Sequence, residues 1–312
     1  MKNLFPYSFN EKRYHTYNYY LKQTYGGKVA KVILDAGFTC PNRDGSRSTG
    51  GCIFCSGAGS GDSNIYRKED LLRQYEENKK VMDRKWPNRY YIPYFQSFSN
   101  TYGPLEKIRE MTGIFLDREE VAGIALATRC DCLSPEIIGY LTEINQIKQI
   151  YLEIGLQSSN DMTGKKINRA HSFEEFREAL YTLKDTGIHV CVHVMNGLPM
   201  ESEEDMIQTI LDLRHLPFQA IKIHMLHVLK NTALGDIYEK DPFPIMGREE
   251  YIDLVVKQLR LLPPETVIER LTGDPLKDDL LAPSWVLNKT TILNDIDKKM
   301  RALDVYQGDL YE

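Results

Sequence analysis

Short apolar runs alternate with amphipathic stretches along most of the chain. Runs rich in β-branched residues predict six strands, at 29–35, 89–96, 121–128, 147–156, 189–196 and 220–229. Apolar residues at helical spacing predict helices near 68–86, 104–116, 134–146, 172–186 and 202–215. Ser134, Ser172 and Ser202 precede three of these helices and suit N-cap positions. Strands that alternate with helices predict an α/β fold with a parallel sheet covered on its outer face.

The same pattern predicts one main structural unit. No internal repeat, low-complexity tract or Pro/Ser-rich linker interrupts it. We expect residues 29–240 to form the core barrel and residues 1–28 to form an N-terminal extension packed on it. Residues 241–312 are expected to form a C-terminal α/β extension that completes the same domain.

Polar residues follow the carboxyl ends of successive predicted strands. In parallel sheets, functional side chains gather at that edge. The residues concerned are a cysteine-containing loop after the first strand, Gln96 and Asn100 after the second, the segment TRCDC after the third, Glu153 and Gln157 on the fourth, and Asn196 and Gly197 after the fifth. We therefore predict the functional site at this edge.

Composition favours a cytoplasmic protein. The chain contains 42% hydrophobic and 27% charged residues, which is typical of soluble globular proteins. It has no run of eighteen apolar residues, and the N-terminus lacks the apolar core of a signal peptide, so no membrane association is expected. Six cysteines in such a chain are expected to be metal-bound, catalytic or buried rather than disulfide-bonded.

Charge is distributed unevenly along the chain. The formal net charge is −5, which argues against unspecific binding of nucleic acid. Residues 1–90 carry 16 Lys and Arg against 9 Asp and Glu, whereas the remaining residues carry 23 against 35. A basic N-terminal third suits a polyanionic partner, although ordinary fluctuation of surface charge explains the asymmetry equally well.

Three cysteines carry the most specific chemistry. Cys40, Cys52 and Cys55 lie in GFTCPNRDGSRSTGGCIFC, behind the first predicted strand. Four thiolates normally hold a four-iron cluster, so three clustered ligands leave one iron free to bind another molecule. The glycines of this loop allow the backbone to wrap closely around a cluster. We therefore predict a [4Fe-4S] site with Cys40, Cys52 and Cys55 as ligands.

Two other interpretations of these cysteines remain open at this stage. A structural zinc ion needs four ligands, and Cys130 and Cys132 are candidates for a second pair. Alternatively, the cysteines are unrelated buried residues, as Cys191 is expected to be. The Gly-rich loop favours the cluster over both.

Ordered motifs extend over nearly the whole chain. They are GFTCPNRDG…GGCxFC, YFQ-x3-NTY, TR-x-DC, LEIGLQS…INR-x-H, GLP-x-E, KIHMLHVLKNTAL, IERLTGD and APSW-x3-K. On these motifs the chain resembles the YtqA/YhcC group of radical S-adenosylmethionine (SAM) proteins. That group is related to the catalytic subunit of Elongator and includes tRNA-modifying enzymes of the MnmL type.

The resemblance implies a fold, two cofactors and a reaction. The fold is a partial (β/α)6 TIM-like barrel with the cluster at its mouth. S-adenosylmethionine chelates the open iron, and its reductive cleavage gives a 5′-deoxyadenosyl radical that abstracts hydrogen from the substrate. The implied substrate is the tRNA wobble uridine, on which 5-carboxymethylaminomethyl-uridine-34 becomes 5-aminomethyl-uridine-34. Partners are then tRNA and an electron donor such as flavodoxin or ferredoxin.

Candidate cofactor-binding residues follow the second, fourth and fifth strands. Gln96, Ser97, Asn100 and Thr101 are expected near the methionine part of SAM, although a capped turn before Pro104 explains the last three equally well. Glu153, Gly155 and Gln157 alternate onto one strand face, where a carboxylate and an amide suit ribose hydroxyls or the amino group. Arg169 is expected to pair with Glu153 or to bind the methionine carboxylate. Asn196 and Gly197 are expected to approach adenine.

Candidate catalytic and substrate-binding residues are less constrained. Arg129, Asp131 and Cys132 follow the third strand, where Asp131 either orients Arg129 or forms a turn. Lys165 and Lys166 form a basic group near the expected mouth. His193 and His224 lie on the fifth and sixth strands, where a histidine is either a ligand-binding residue or part of the core. On a regular strand only one of His224 and His227 faces inward.

The N-terminal region is rich in tyrosine, at positions 7, 14, 17, 19, 20 and 25, among basic residues. Aromatic rings among positive charges suit the stacking of nucleic-acid bases. The spacing also resembles one apolar face of a helix, so we expect most of these rings to pack on the barrel.

Two rival functions remain. A radical SAM enzyme that acts on a small molecule or a protein fits the acidic net charge. The more remote rival is a zinc-binding nucleic-acid-binding protein without catalytic activity.

Overall fold

The computed structural model describes residues 5–57, 59, 70–85 and 88–312. One sheet contains seven strands in the order β1-β2-β3-β4-β5-β6-β8, and every neighbouring pair is parallel. Its strands are β1 (Val29–Leu34), β2 (Tyr90–Phe95), β3 (Gly123–Thr128), β4 (Gln149–Gln157), β5 (His189–Asn196), β6 (Ala220–Met225) and β8 (Val267–Arg270). A second, antiparallel sheet pairs β7 (Val228–Leu229) with β9 (Leu280–Ala282). The six predicted strands are confirmed, except that the last one divides into β6 and β7.

Helices connect the strands, and most of them cover the outer face of the sheet. They are α1 (Tyr17–Tyr25), α2 (Leu71–Lys85), α3 (Leu105–Leu116), α4 (Pro135–Asn145), α5 (Asp161–Lys166), α6 (Phe173–Leu183), α7 (Glu203–Leu213), α8 (Ala233–Lys240), α9 (Arg248–Leu261) and α10 (Lys289–Ala302). The five predicted helices are confirmed, and Ser134, Ser172 and Ser202 cap α4, α6 and α7 with their side chains. Positions 68, 69 and 86 of the predicted helix 68–86 lie outside the described residues.

The sheet curls into a partial barrel, which brings its two edge strands together. Lys31 on β1 contacts the carboxylate of Glu269 on β8 at 2.6 Å, although these strands are the opposite edges of the sheet. Thr16, the N-cap residue of α1, forms a parallel bridge with Ile268 of β8. The α/β partial-barrel prediction is confirmed, with seven strands in place of six.

The segment after residue 240 supplies part of this barrel. Strand β8 pairs with β6, and α9 and α10 bury Tyr251, Val255 and Ile292 in the same apolar core as the preceding helices. The sheet therefore extends across the predicted boundary at residue 240.

Helix α1 fills the amino-terminal end of the barrel. Leu21 packs with Ile92 and Tyr151 from the inner faces of β2 and β4. The hydroxyl of Tyr20 lies 3.2 Å from Nδ1 of His189, and the hydroxyls of Tyr25 and Tyr151 lie 2.6 Å apart. Tyr14 and Tyr17 are also packed, so the prediction that most N-terminal tyrosines pack on the barrel is confirmed.

Within the part of the chain that the structure describes, no helix combines the length and the apolar character needed to cross a membrane.

Candidate functional site

A cavity of about 430 Å³ opens at the carboxyl end of the barrel strands. Side chains from β1 to β6, from β8 and from the loops that follow them line its wall. The functional residues that the sequence places at this edge and that do line the cavity are Cys40, Cys52, Cys55, Gln96, Arg129, Glu153, Gln157, His193 and His224. The predicted location of the site agrees with this arrangement.

The three cysteines of the first loop line one wall of the cavity. Backbone hydrogen bonds fold the loop into turns at both ends, from Arg43 N to Cys40 O and from Cys55 N to Cys52 O. In the described residues, no group of three or more His, Cys, Asp or Glu side chains is arranged to hold a single metal ion. Three thiols presented by one loop suit a polynuclear cluster, in which each thiolate binds a separate iron.

Electrostatics favour thiolate chemistry in this wall. The pKa of Cys52 is lowered to about 7, because a hydrogen bond from Cys55, the charge of Arg129 and a hydrogen bond from Asn42 together outweigh burial. The pKa of Cys55 is raised because its thiol donates that hydrogen bond and is buried. Iron binds the thiolate form, so the lowered pKa of Cys52 favours iron binding at that position of the loop.

Asn42 and Asn168 hold the cysteine loop in shape. The side-chain amide of Asn168 donates to the carbonyls of Thr49 and Gly51 at 3.0 and 2.8 Å, and its oxygen accepts from Ser48 at 2.9 Å. Asn42 in turn donates to the backbone carbonyl of Asn168 and lies 3.5 Å from the sulfur of Cys52. The loop is thus fixed to the segment after α5 independently of its thiols.

Arg129 and Asp131 form a bidentate ion pair beside this loop. Nε and Nη2 of Arg129 donate to the two carboxylate oxygens of Asp131 at 2.8 and 2.7 Å, and Nη1 donates to the carbonyl of Arg169 at 2.8 Å. Arg47 of the cysteine loop approaches Asp131 at 3.5 Å. Asp131 therefore orients Arg129, which is the first of the two roles open from the sequence.

A buried charge network forms the floor of the cavity. Oε1 of Glu153 lies 2.6 Å from Nζ of Lys31, and its other oxygen accepts from Lys222. Lys31 also binds Glu269 at 2.6 Å, and Lys222 lies 3.7 Å from the same carboxylate. Two lysines thus match two glutamates in a region where an unpaired charge is costly.

Glu153 also accepts from two neutral side chains. Tyr94 donates its hydroxyl to Oε2, and Nε2 of His193 lies 2.9 Å from the same oxygen. Burial raises the pKa of this carboxyl, but the charges of Lys222 and Lys31 and the bond to His193 outweigh burial, so the pKa lies well below its usual range. Glu153 is ionised at neutral pH and is held by protein groups.

The residues that follow β2 divide into two sets. Gln96, Phe98 and Ser99 line the cavity, with Phe98 at a φ of 61°, a conformation that costs energy for a bulky residue. Ser97, Asn100 and Thr101 are buried and are not among the described lining residues. Asn100 donates to the carbonyls of Phe95, Ser97 and Ala127, and Thr101 donates to that of Cys132. Their contacts fit the capped-turn alternative, so they position Phe98 and Ser99.

Arg169 is not among the described lining residues of the cavity, and it does not make the expected ion pair with Glu153. It is fully buried, and its guanidinium donates to the carbonyls of His171, Leu156 and Ser158. Its ion pair is with Asp161, at 2.8 Å, and not with Glu153. These hydrogen bonds could not be predicted from the sequence, because residues of every type carry a backbone carbonyl.

Asn196 and Gly197 are also not among the described residues that line the cavity. Asn196 exchanges two hydrogen bonds with Gln258 of α9, at 2.8 and 2.9 Å, and is buried on the outer side of the sheet. The neighbouring Met195 faces the cavity instead. Strand alternation explains the difference, because odd positions of β5 face inward.

Three other predicted residues are peripheral to the cavity. Cys132 is buried beside Asp131, with the sulfur 3.8 Å from Oδ1, and burial raises its pKa. Lys165 and Lys166 are exposed at the end of α5, next to the segment that clamps the cysteine loop. The lysines therefore flank the mouth, whereas Cys132 is enclosed.

Both His224 and His227 line the cavity, which corrects the expectation that only one of them faces inward. That expectation assumed a regular strand, whereas β6 ends at Met225 and the chain changes direction before β7. Lys31, Lys222, His171 and Arg270 are further lining or floor residues that the sequence interpretation missed. His171 lies in the INR-x-H motif, which was the available signal.

Comparisons with known proteins agree with this site. A family model described as the radical SAM superfamily matches residues 44–213, and one described as the radical SAM C-terminal domain matches residues 218–302. The chain is 44% identical to the uncharacterized protein YtqA of Bacillus subtilis, over 99% of this chain and 96% of that one. It is 30% identical to the protein YhcC of Escherichia coli, over 89% of each chain.

Two further likenesses concern Elongator. Elongator complex protein 3 of Dictyostelium discoideum is 29% identical over 56% of this chain and 31% of that protein. The solved structure of Methanocaldococcus infernus Elp3 with its N-terminus deleted matches with a TM-score of 0.67 and 17% identity, over 90% of this chain and 64% of that one. At that identity the structural likeness concerns the fold.

The partial barrel, the cysteine loop and these matches define a radical SAM enzyme, and the chain belongs to the radical SAM superfamily. Within the superfamily it falls in the YtqA/YhcC group. Enzymes of this superfamily use a [4Fe-4S] cluster and S-adenosylmethionine. The rival interpretation as a zinc protein without catalytic activity is therefore wrong.

Proposed function

We propose that this enzyme modifies tRNA in the cytoplasm, converting 5-carboxymethylaminomethyl-uridine-34 to 5-aminomethyl-uridine-34. The resemblance to the YtqA/YhcC group and the similarity to Elongator complex protein 3 support tRNA as the substrate. The observation that carries the chemistry is the wall of three thiols, Cys40, Cys52 and Cys55, in a cavity of about 430 Å³.

In this proposal each wall of the cavity has a separate task. Cys40, Cys52 and Cys55 hold the cluster, which when bound supplies the electron that cleaves S-adenosylmethionine to methionine and the 5′-deoxyadenosyl radical. Gln96 and Gln157 offer amides to the polar parts of SAM. Phe54 and Phe98 exclude water from the same space, which protects a radical from side reactions.

Two charged groups complete the arrangement. Asp131 orients Arg129, whose positive charge interacts with Cys40 and Cys52. This charge offsets the negative charge of a thiolate-bound cluster. Glu153 is held by Lys31 and Lys222, so its remaining task is to position His193 beside the substrate space. We leave Ser97, Asn100, Thr101, Arg169, Asn196, Gly197 and Cys132 out of the residues that touch ligands.

The proposed reaction balances without a further oxidant. Removal of a hydrogen atom from the methylene beside the carboxylate, followed by loss of one electron and one proton, gives an imine. Water hydrolyses the imine to the 5-aminomethyl group and glyoxylate. The substrate loses two electrons and the cleaved sulfonium gains two, one with the transferred hydrogen atom and one that would return through the cluster. An external donor such as flavodoxin or ferredoxin would therefore supply only the first electron.

The test compares modified nucleosides in tRNA from cells with and without the gene. We expect 5-carboxymethylaminomethyl-uridine to accumulate in the deletion strain and the wild-type gene to reverse the change. A Cys52→Ser gene should fail to reverse it and should form no 5′-deoxyadenosine in vitro. The matched control is a Cys130→Ala gene, which alters a buried cysteine that is not among the described residues lining the cavity. This gene should restore the wild-type profile. An unchanged nucleoside profile in the deletion strain would contradict the proposal.

The acidic net charge of −5 favours one alternative, a small-molecule or protein substrate. Binding of bulk tRNA at several salt concentrations separates the two, because phosphate contacts produce a steep loss of affinity with salt. A flat salt response would favour the alternative.

A further inference from the structure

Strand β8 departs from regular alternation where it enters the cavity. Ile221 pairs with Ile268, but the next residue of β6, Lys222, pairs with Arg270, so Glu269 is the extra residue of a bulge. A bulge redirects side chains and is common beside active sites. Here it brings two successive side chains inward, because Glu269 contacts Lys31 in the floor and Arg270 lines the cavity.

Arg270 keeps most of its hydrogen-bonding capacity. Within the described part of the chain, its guanidinium makes one ion pair, with Asp274 at 3.4 Å. Asp274 binds Lys289 more closely, at 2.9 and 2.8 Å, so it stays paired if Arg270 turns to another anion. Other cationic groups of the described lining and floor have partners. Lys31 and Lys222 hold the floor glutamates, Arg129 holds Asp131, and Arg43 donates to the carbonyls of Ser56 and Gly57.

Two imidazoles beside Arg270 have unused ring nitrogens. The Nε2 atoms of His224 and His227 are buried and have no hydrogen-bond partner among the described residues. Burial and repulsion from positive charge that includes Arg270 lower the pKa of both imidazoles. Asp274 opposes this shift for His227, whose pKa nevertheless falls to about 4. They are neutral at pH 7, and each can donate one ring N–H. A buried polar atom without a partner is costly, so both nitrogens favour a hydrogen-bonding group beside them, either a water molecule or part of a ligand.

Gly273 allows His227 its position. A Cβ atom at residue 273 would lie 1.9 Å from Cε1 and 2.1 Å from Nε2 of His227. An alanine there would displace the imidazole while leaving Arg270 itself unchanged.

We propose that Arg270, His224 and His227 form an anion subsite that holds the carboxylate of the substrate side chain. This subsite rests on the proposed function, in which the group removed carries that carboxylate. The planar fork of arginine matches a carboxylate bidentately, and two neutral N–H donors add direction without adding charge. Holding the carboxylate positions the methylene next to it for hydrogen abstraction.

The test measures equilibrium binding of two free nucleosides to the cluster-loaded enzyme. One probe is 5-carboxymethylaminomethyl-uridine, and the other is 5-aminomethyl-uridine, which lacks the carboxylate. We expect the wild type to prefer the first, and Arg270→Gln to weaken its binding about tenfold to a hundredfold while changing the second little. Gly273→Ala should reduce the same preference. The control, Lys257→Gln, alters an exposed lysine paired with Glu203 and should bind as wild type does.

Several outcomes would overturn the subsite. They are a wild type without preference for the carboxylated nucleoside, an Arg270→Gln protein with wild-type preference, or equal losses for both probes. Weakened binding of S-adenosylmethionine in Arg270→Gln would assign the residue to the cofactor and would also overturn it. If the preference depends on Arg270 but tRNA nucleosides are unchanged in the deletion strain, the proposed function fails and the subsite stands. If the wild type and Arg270→Gln modify tRNA equally, the proposed function stands and the subsite fails.

Discussion

The carboxylate of Glu153 collects side chains from four other strands. Lys31 of β1, Tyr94 of β2, His193 of β5 and Lys222 of β6 all contact it. Inward alternation of Glu153 was predictable from the sequence because it depends on the period of one strand. Its partners were not, since they come from residues between 40 and 122 positions away. The sequence therefore indicates which face of the strand a residue lies on, but not whether its charge is paired with another side chain.

Removing the charge of Glu153 tests this network. In Glu153→Gln the cation of Lys222 keeps only the more distant Glu269, so we expect the free energy of unfolding to fall by about 3–5 kcal/mol. Urea denaturation of the purified protein measures the change. The control is Glu203→Gln, which removes one partner of an exposed ion pair and should cost less than about 1 kcal/mol. Equal losses in the two variants would contradict a buried network.

At the level of elements, local periodicity predicted the strands and helices well. Strands β1 to β5 and helices α2, α3, α4, α6 and α7 lie within a few residues of their predicted bounds, because each carries its own apolar pattern. Strand β8 was not predicted, since its four residues give no such pattern and its bulge breaks alternation. Because β8 was not predicted, Arg270 was not recognised as a residue of the site. In a regular strand with Glu269 facing inward, Arg270 would face the outside of the barrel.

Docking of α1 on the barrel makes stability depend on pH. The ring of His189 lies between those of Tyr20 and Tyr151, with centroid distances of 5.0 and 4.9 Å. Burial, helped by Lys31 and His15 and opposed by Glu269 and Glu153, lowers its pKa to about 4. The folded state thus keeps this histidine neutral where the unfolded chain, with a pKa near 6.5, protonates it. Its contribution is complete above about pH 6.5 and is lost as the pH falls toward 4.

We therefore expect His189→Gln to flatten the decline in unfolding free energy between pH 7.5 and 4.5, by up to about 3 kcal/mol. Denaturant titrations at several pH values measure this difference. The control is His215→Gln, which changes an exposed histidine that contacts Tyr311, and its unfolding free energy should decline as that of the wild type does. A parallel decline in His189→Gln and wild type would show that this imidazole is not the group responsible.

At the scale of the whole molecule, one face of the barrel carries the chemistry and its amino end is filled by α1. The cavity, the cysteine loop and the exposed Lys165 and Lys166 all lie at the carboxyl end of the strands. These two exposed lysines lie outside the basic N-terminal third of the sequence, and they offer a polyanion a positive contact at this face.

Replacing these two lysines tests that approach. Lys165→Ala/Lys166→Ala should weaken tRNA binding and reduce the slope of log affinity against log salt by about 1–2, because two phosphate contacts are lost. Formation of 5′-deoxyadenosine without tRNA should not change. Lys298→Ala/Lys299→Ala on α10, outside the described lining of the cavity, is the matched control for net charge. Equal salt slopes in both double variants would place the tRNA elsewhere.

The clamp that Asn42 and Asn168 form around the cysteine loop bears on how the metalloenzyme is assembled. Because amides and carbonyls already shape the loop, iron and sulfide have a prepared receptacle and need not organise the backbone themselves. Protein that has lost its inorganic core in air should therefore recover it under anaerobic reconstitution without unfolding and refolding.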